Sequence, residues 1–389
     1  MSDSPLQEVS RTARVIVCVG AGGVGKTTVS AALALRTAVE GRSALVLTID
    51  PAKRLANSLG LEQLGNTEAR IPDAQLQAAG LTAQAPLHAM MLDMKQTWDE
   101  LIARHAPADK RAAIMESRFY KALSTRLAGS QEYIALEKLW QLRNQRDYAT
   151  IVLDTPPTAH ALDFLDAPNR VLDFLDNEAA RWLLSPALAA GTVGLKLMSL
   201  GGSYVAKTLS RFTGTDTLAE LATFMSAMSG MNEGFRQRTQ AVRELLADPH
   251  TSFVLVTIPA PERLDEVMHF HRLLLQNKMH VGAIVVNRVH PPVPPEAFEQ
   301  ARTLPPGLRE KAERTLREAA VLAAQDAEGL AMIRKECGGC LLVEIPRFEL
   351  DVHDLKALWT TSEYLMGVRG VERVREVESR REPPGPAAV

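Results

Sequence analysis

A glycine-rich segment near the N-terminus places the strongest constraint on the fold. Residues 20–27 read Gly-Ala-Gly-Gly-Val-Gly-Lys-Thr and match the phosphate-loop pattern GxxxxGK[ST] at every fixed position. The apolar, β-branched run at 14–20 precedes the segment, and a helical pattern from Lys26 to Ala38 follows it. This order of strand, glycine loop and helix is the setting in which such a loop binds phosphate, so the segment predicts a nucleotide-binding α/β fold.

The loop offers several kinds of phosphate ligand. Its glycines let backbone N–H groups turn toward the phosphates, and the helix N-terminus that follows favours anions. Lys26 can reach the β- and γ-phosphates, and the hydroxyl of Thr27 can bind magnesium. The alternative is a glycine-rich turn that binds nothing. We expect ATP and Mg²⁺ as ligands, with nucleotide contacts from Gly20, Ala21, Gly22, Gly23, Val24, Gly25, Lys26, Thr27 and Thr28.

The remaining apolar runs predict the sheet. They are separated mostly by helical patterns, which is typical of a mostly parallel sheet with helices on both faces. The predicted fold class is therefore α/β, a single P-loop domain over residues 14–366 with helical insertions at about 97–146 and 169–247. The charged tail at 370–389 ends in a proline-rich stretch and is predicted to be disordered. The strand candidates after the first are 43–50, 149–154, 252–258, 281–287 and 340–345.

Two aspartates end predicted strands on the edge of the sheet where the loop lies. Asp154 precedes Thr155-Pro156-Pro157 and fits the acid on the magnesium side of P-loop enzymes; the alternative is a helix N-cap or a turn. Asp50 precedes a proline and can orient the attacking water or help to hold magnesium, or it can cap a helix. Lys26 and Asp50 are thus the catalytic candidates, and Thr27, Asp50 and Asp154 the candidates for the metal.

Three motifs resemble one known family. They are GAGGVGKTT at 20–28, DPAKRLANSLG at 50–60 and DTPPTAHALDFLD at 154–166, and the later stretch at 256–289 also fits. Together these segments resemble the arsenite-pump ATPase and tail-anchored-protein targeting ATPase family. This family is a branch of the nitrogenase-iron-protein-like P-loop ATPases. The resemblance covers most of residues 14–360.

The resemblance implies ATP hydrolysis by a homodimer and assigns roles by position. Asp50 would position the hydrolytic water in a first switch, and Asp154 to His160 would form a second switch that senses the γ-phosphate. Asn287 would contact the adenine, and Pro346 would line the same pocket. A carboxamide suits this role because it donates to and accepts from a purine edge, although a strand-end turn would also explain Asn287.

One position departs from the family pattern. Relatives usually carry a second lysine just after the first loop glycine, where it reaches the nucleotide of the partner subunit, but this chain has Ala21. A homodimer is still expected, without that contact. Lys53 or Arg54 in the first switch could compensate.

The cysteines leave three interpretations open. Cys337 and Cys340 form a CxxC pair, which could share zinc between two chains, act as a redox pair or simply occupy a tight turn. Cys18 lies within the first predicted strand, so no thiol trio for arsenite is evident. Three cysteines, no apolar leader and no long apolar segment favour a cytoplasmic protein without an integral membrane segment. A net charge of −2 gives no basic field for nucleic acid.

Methionines in the second insertion leave two interpretations open. Met225, Met228 and Met231 fall on one helical face, and methionine suits adaptable apolar surfaces. The face either binds a hydrophobic protein segment or packs on the rest of the protein. In the targeting relatives this region forms a groove for a client's hydrophobic helix, so the resemblance implies a switch ATPase that acts as a chaperone or targeting factor. The alternatives are a regulatory or partitioning ATPase acting through protein partners, an ATPase energising oxyanion transport, and a metabolic kinase.

Overall fold

The computed structural model describes residues 5–49, 54–126, 130–156, 224 and 231–370. Asp50 and Lys53 fall outside these ranges, as do Met225 and Met228. The same holds for residues 157–160 of the predicted second switch, for most of the insertion at 169–247 and for the tail after residue 370. The roles predicted for those positions remain predictions.

The chain divides into two compact units. The sheet unit comprises Met1–Met91, Arg146–Ala161 and Ala247–Val389, and the helical unit comprises Leu92–Gln145 and Leu162–Leu246. The domain boundaries predicted from the sequence stay a prediction. None of the helices in the described ranges combines the length and the apolar character that a membrane span requires.

The sheet unit contains one eight-stranded sheet in the described part of the chain, ordered β3-β4-β2-β5-β1-β6-β7-β8. All neighbouring strands pair in parallel except β3, which pairs antiparallel with β4. The predicted α/β fold class is confirmed, and each of the six predicted strands is present. The strands are β1 (Val15–Val19), β2 (Ala44–Thr48), β3 (Ala69–Arg70), β4 (Leu87–Met91), β5 (Thr150–Asp154), β6 (Thr251–Thr257), β7 (Val281–Val289) and β8 (Leu342–Pro346).

Helices connect these strands and supply the second unit. The sheet unit contains α1 (Pro5–Thr12), α2 (Lys26–Val39), α3 (Arg54–Ser58) and α4 (Asp73–Ala78), then α10 (Pro261–Gln276), α11 (Pro295–Arg302), α12 (Pro306–Glu336) and α13 (Leu355–Leu365). The helical unit contains α5 (Met94–His105), α6 (Arg111–Glu116), α7 (Arg118–Arg126), α8 (Ser130–Gln145) and nearly all of α9 (Asn232–Ala247).

The central strands explain why the sheet reads as continuous apolar runs. Every residue of β1, β2, β5 and β6 is buried. Such strands have no solvent-facing side, so they lack the alternation of a half-exposed sheet. In the register of the sheet, Cys18 of β1 and Thr48 of β2 both lie beside Asp154 of β5. The carboxyl ends of β1, β2 and β5 therefore lie next to one another at the same edge of the sheet.

The helical unit has a core of its own. Tyr133 stacks on Trp98 and lies beside Phe235, with ring centroids 5.9 Å apart in both pairs. Arg238 forms a buried ion pair with Glu137, whose carboxylate lies 3.0 Å from the guanidinium. Burial raises the pKa of Glu137, and the charge of Arg238 opposes this shift. Breaking the pair would leave an uncompensated buried charge, so it ties α8 to α9.

Candidate nucleotide-binding site

The phosphate loop lies between the end of β1 and the start of α2. Gly25 caps α2 with a left-handed backbone, φ 102°. Lys26, the first residue of α2, is only 7% exposed, and its ammonium donates a hydrogen bond to the carbonyl oxygen of Ala21 at 2.9 Å. The side chain thus lies across the loop and not in solvent. This arrangement places the lysine charge and the helix N-terminus beside the same loop, as an anion site requires.

A buried carboxylate lies next to the loop. Asp154 is 1% exposed, and its Oδ2 accepts hydrogen bonds from the Thr27 hydroxyl at 2.7 Å and the Thr48 hydroxyl at 2.8 Å. Two hydroxyl donors offset part of the desolvation of the carboxylate. The pairing of Asp154 with Thr27 follows from their predicted positions. Thr48 was missed by sequence reasoning, because it appears only as one residue of an apolar strand.

These oxygens fit a magnesium site. Mg²⁺ prefers oxygen ligands and commonly takes one or two protein groups together with substrate phosphates. Because the Thr27 hydroxyl donates its proton to Asp154, its oxygen lone pairs remain available to a cation. Asp50, the third metal candidate, lies outside the described residues.

Asn287 lies against the phosphate loop. Its Nδ2 donates to the carbonyl oxygen of Val24 at 2.9 Å, and its Oδ1 accepts from the backbone N–H of Arg288 at 2.9 Å. The two residues lie where the pairing of β7 with β8 shifts register between Val286 and Val289. Bulges of this kind re-aim side chains near functional sites. The side chain of Asn287 therefore joins the end of β7 to the phosphate loop. Its contact with adenine stays a prediction.

One cavity of about 1850 Å³ brings the two ends of the predicted site together. It is larger than the roughly 300–1,000 Å³ typical of ligand pockets, so it has room for a whole nucleotide. The part of the cavity wall that the structure describes does not include Gly20, Ala21, Val24 or Asp154. The wall includes the predicted residues Gly22, Gly23, Gly25, Lys26, Thr27, Thr28, Asn287 and Pro346.

A polar chain in the same wall was missed by sequence reasoning. Asp326 of α12 is 5% exposed, and its Oδ2 lies 2.7 Å from the backbone nitrogen and 2.8 Å from the Nδ1 of His290. Arg347 Nη1 lies 3.2 Å from Nε2 of His290. Since a guanidinium only donates, Nε2 accepts and Nδ1 carries the proton. The chain links β7, α12 and the segment after β8. Its only sequence signal is that Arg347 directly follows Pro346.

The thiols are not activated. Cys18 is fully buried, and burial raises its pKa to about 12. Burial also raises the pKa of Cys337, and it raises that of Cys340 to about 11. The thiolate is the form that attacks disulfides, so the raised pKa values leave both thiols of the CxxC pair weakly nucleophilic when no metal is bound. In the described ranges, no group of three or more His, Cys, Asp or Glu residues could hold a metal ion.

The contact between the phosphate loop and Asn287 should require a glycine at position 25. A Cβ added at Gly25 would lie 2.2 Å from Nδ2 of Asn287, whereas one added at Gly23, which also has positive φ, meets nothing within 4 Å. We expect Gly25→Ala to lower the melting temperature of nucleotide-free protein more than Gly23→Ala does. The loss should shrink when Gly25→Ala is made in an Asn287→Ala background. Equal losses at both glycines, unaffected by Asn287→Ala, would contradict the contact.

Comparison with known families is consistent with this geometry. A family model described as Anion-transporting ATPase (ArsA ATPase) matches residues 13–305. The matched range contains the phosphate loop, Asp50, Asp154 and Asn287, and it ends before Pro346.

Curated relatives extend over most of the chain. "ATPase GET3" of Malassezia globosa is 26% identical over 352 residues, which is 90% of each chain. "ATPase GET3B" of Arabidopsis thaliana is 28% identical over 284 residues, covering 70% of this chain and 63% of its own length. A "Putative arsenical pump-driving ATPase" of Chlorobaculum tepidum is 26% identical over 286 residues, covering 71% of this chain and 61% of its own length. Because the family model matches more than half of the chain, the chain belongs to the anion-transporting ATPase family, and it is an ATPase.

Proposed function

We propose that this ATPase binds ATP together with Mg²⁺ and uses hydrolysis as a conformational switch. The observation that carries the proposal is the hydrogen bond from Thr27 Oγ1 to Asp154 Oδ2 at 2.7 Å, beside a complete phosphate loop. The P-loop threonine and a strand-end aspartate are the two groups that hold magnesium in P-loop ATPases. Family membership supports the ATPase activity, and this oxygen pair supports the magnesium requirement.

Each residue of the site has a distinct role in this proposal. Backbone N–H groups of the loop and the N-terminus of α2 would bind the phosphates, and Lys26 would neutralise charge on the β- and γ-phosphates. Thr27 and Asp154 would hold Mg²⁺. The ion would supply further charge stabilisation at the phosphate oxygens. Asp50 would orient the attacking water, and residues 154–160 would respond to the γ-phosphate.

Lys26→Ala should reduce ATP hydrolysis at least about 100-fold, because it removes a charge aimed at the transferred phosphate. The test is phosphate release at saturating Mg²⁺ and ATP, with circular dichroism to check folding. Lys26→Met, which keeps the apolar stem of this buried side chain, should lose the same activity. Lys311→Ala, at an exposed position of α12, is the matched control and should hydrolyse ATP normally. Unchanged turnover in both Lys26 variants would contradict the assignment.

For the biological role, we infer a cytoplasmic chaperone or targeting factor for hydrophobic protein segments. The resemblance to targeting ATPases supports this role, as does the presence of a separate helical unit with its own apolar core. The relevant partners would be a second copy of this chain and an apolar client helix bound in a groove. Met231 is buried, at 2% exposure, so it packs inside the helical unit. Met225 and Met228 are the candidates left to face a client.

Oxyanion transport is the alternative that the family description and the arsenical-pump relative favour. Its arsenite form needs accessible thiols. The three cysteines are Cys18, Cys337 and Cys340; two are buried, and the pKa of each is raised. We therefore place arsenite pumping behind the chaperone role. A regulatory ATPase acting through other proteins remains the second alternative.

One measurement of mass in solution tests the dimer and the client together. Asp50→Asn should bind ATP and hydrolyse it slowly, which holds the ATP state. Light scattering with Mg²⁺, ATP and an apolar helical peptide should give the mass of two chains plus peptide. Adding Met225→Ser and Met228→Ser should remove the peptide and keep the two-chain mass. A single-chain mass with ATP bound would contradict the dimer, and peptide retained by the serine variant would contradict the client site.

A further inference from the structure

Arg288 has a backbone conformation that side chains rarely adopt. Its φ is 61°, and among the described non-glycine residues only Lys278, at 56°, also has a positive φ. Lys278 follows the end of α10. There its N–H and that of Met279 bond to the carbonyls of Leu275 and Leu274, at 3.0 and 2.9 Å, which is an ordinary helix termination. Arg288 lies within β7, so no helix end explains its conformation.

The outlier is part of the bulge that reaches the phosphate loop. The N–H of Arg288 donates to Oδ1 of Asn287, and Nδ2 of Asn287 donates to the Val24 carbonyl in the loop. The unusual backbone at Arg288 therefore belongs to the same structure that aims Asn287. It explains the bulge, but it does not explain why the residue is an arginine. Glycine or asparagine would adopt this conformation more readily.

The surroundings of the Arg288 side chain give a reason for an arginine at this position. Arg288 is exposed, and it forms part of the wall of the cavity that begins at the phosphate loop. Within the described part of the chain, its guanidinium has neither a hydrogen-bond partner nor an ion-pair partner. Strained backbone positions persist where the surrounding structure enforces them, and they cluster at ligand sites. Arg288 carries a cation on a strained backbone and lines the cavity, so it is a candidate ligand-binding residue.

The position of Arg288 indicates which part of a ligand it would meet. Phosphates held by the loop occupy one end of the cavity. The cavity continues past Asn287 to Pro346 and Phe348, over the carboxyl ends of β7 and β8. A nucleotide anchored by its phosphates therefore extends its nucleoside toward Arg288. A guanidinium is planar and can stack on a purine as well as donate hydrogen bonds to it.

We propose that Arg288 binds the nucleoside part of the nucleotide, by stacking on the base or donating to it. The proposal rests on the proposed function, because it requires ATP in this cavity. It makes Arg288 a specificity-determining residue, distinct from the phosphate contacts of Lys26 and the loop.

The test compares two positions with the same backbone conformation. Arg288→Asn removes the guanidinium but tolerates positive φ, and Lys278→Asn makes the matched change at an exposed helix end. Isothermal titration calorimetry should show that Arg288→Asn weakens ADP binding about tenfold, as expected for loss of a cation–π contact that the bound nucleotide would shield from water. Lys278→Asn should leave ADP affinity unchanged. The melting temperature of both variants should equal that of the wild-type protein, so weaker binding would not reflect misfolding.

Arg288→Lys separates the nucleoside from the phosphates. Lysine keeps the charge but lacks the planar fork, so ADP binding should stay at least about fivefold weaker than in wild type. Restoration by lysine would indicate a phosphate contact and overturn the nucleoside assignment. Wild-type affinity in Arg288→Asn would overturn the inference alone. Failure of the wild-type protein to bind ADP would overturn the proposed function as well.

Discussion

The site depends on the hydrogen bonds that the buried carboxylate of Asp154 accepts. It ends β5 between β1 and β2, and it accepts hydroxyl hydrogen bonds from both the phosphate loop and β2. A carboxylate with 1% exposure is strongly destabilising unless such donors surround it. The carboxylate therefore holds Thr27 in a defined place relative to the sheet. The hydrogen bond therefore connects the hydroxyl of Thr27 directly to the end of β5.

On the other side of the loop, Asn287 has a comparable role. Its carboxamide donates to the carbonyl oxygen of Val24 and so joins the β7 bulge to the loop. The phosphate loop is therefore hydrogen-bonded to two strands, to β5 through Asp154 and to β7 through Asn287. The part of the cavity wall at Pro346 and Arg347 has a separate support, the hydrogen-bonded chain from Asp326 through His290 to Arg347. The phosphate loop and the far part of the cavity wall are thus supported by two different buried carboxylates, Asp154 and Asp326.

The features predictable from sequence are those encoded locally. The phosphate loop and six strands could be predicted because each is a continuous pattern of a few residues. The strands β3 and β4 were missed: β3 has only two residues, Ala69 and Arg70, and β4 includes a histidine in a short run. The bulge at Asn287 was also missed, since the predicted strand stopped at residue 287 whereas β7 continues to Val289. The pairing of His290 with Asp326 joins residues 36 positions apart. It arises from packing of α12 against the sheet, which no local pattern records.

In the proposed function, Thr27 and Asp154 jointly hold the metal of the nucleotide complex. The most direct test is the affinity of the ADP-bound protein for Mn²⁺, a paramagnetic substitute for Mg²⁺, measured by electron paramagnetic resonance. Thr27→Ser keeps the hydroxyl and should bind the metal like wild type. Thr27→Val, which is nearly isosteric but lacks the hydroxyl, and Asp154→Asn should each weaken metal binding at least about tenfold. Wild-type metal affinity in Thr27→Val and Asp154→Asn, with ADP bound, would contradict the account.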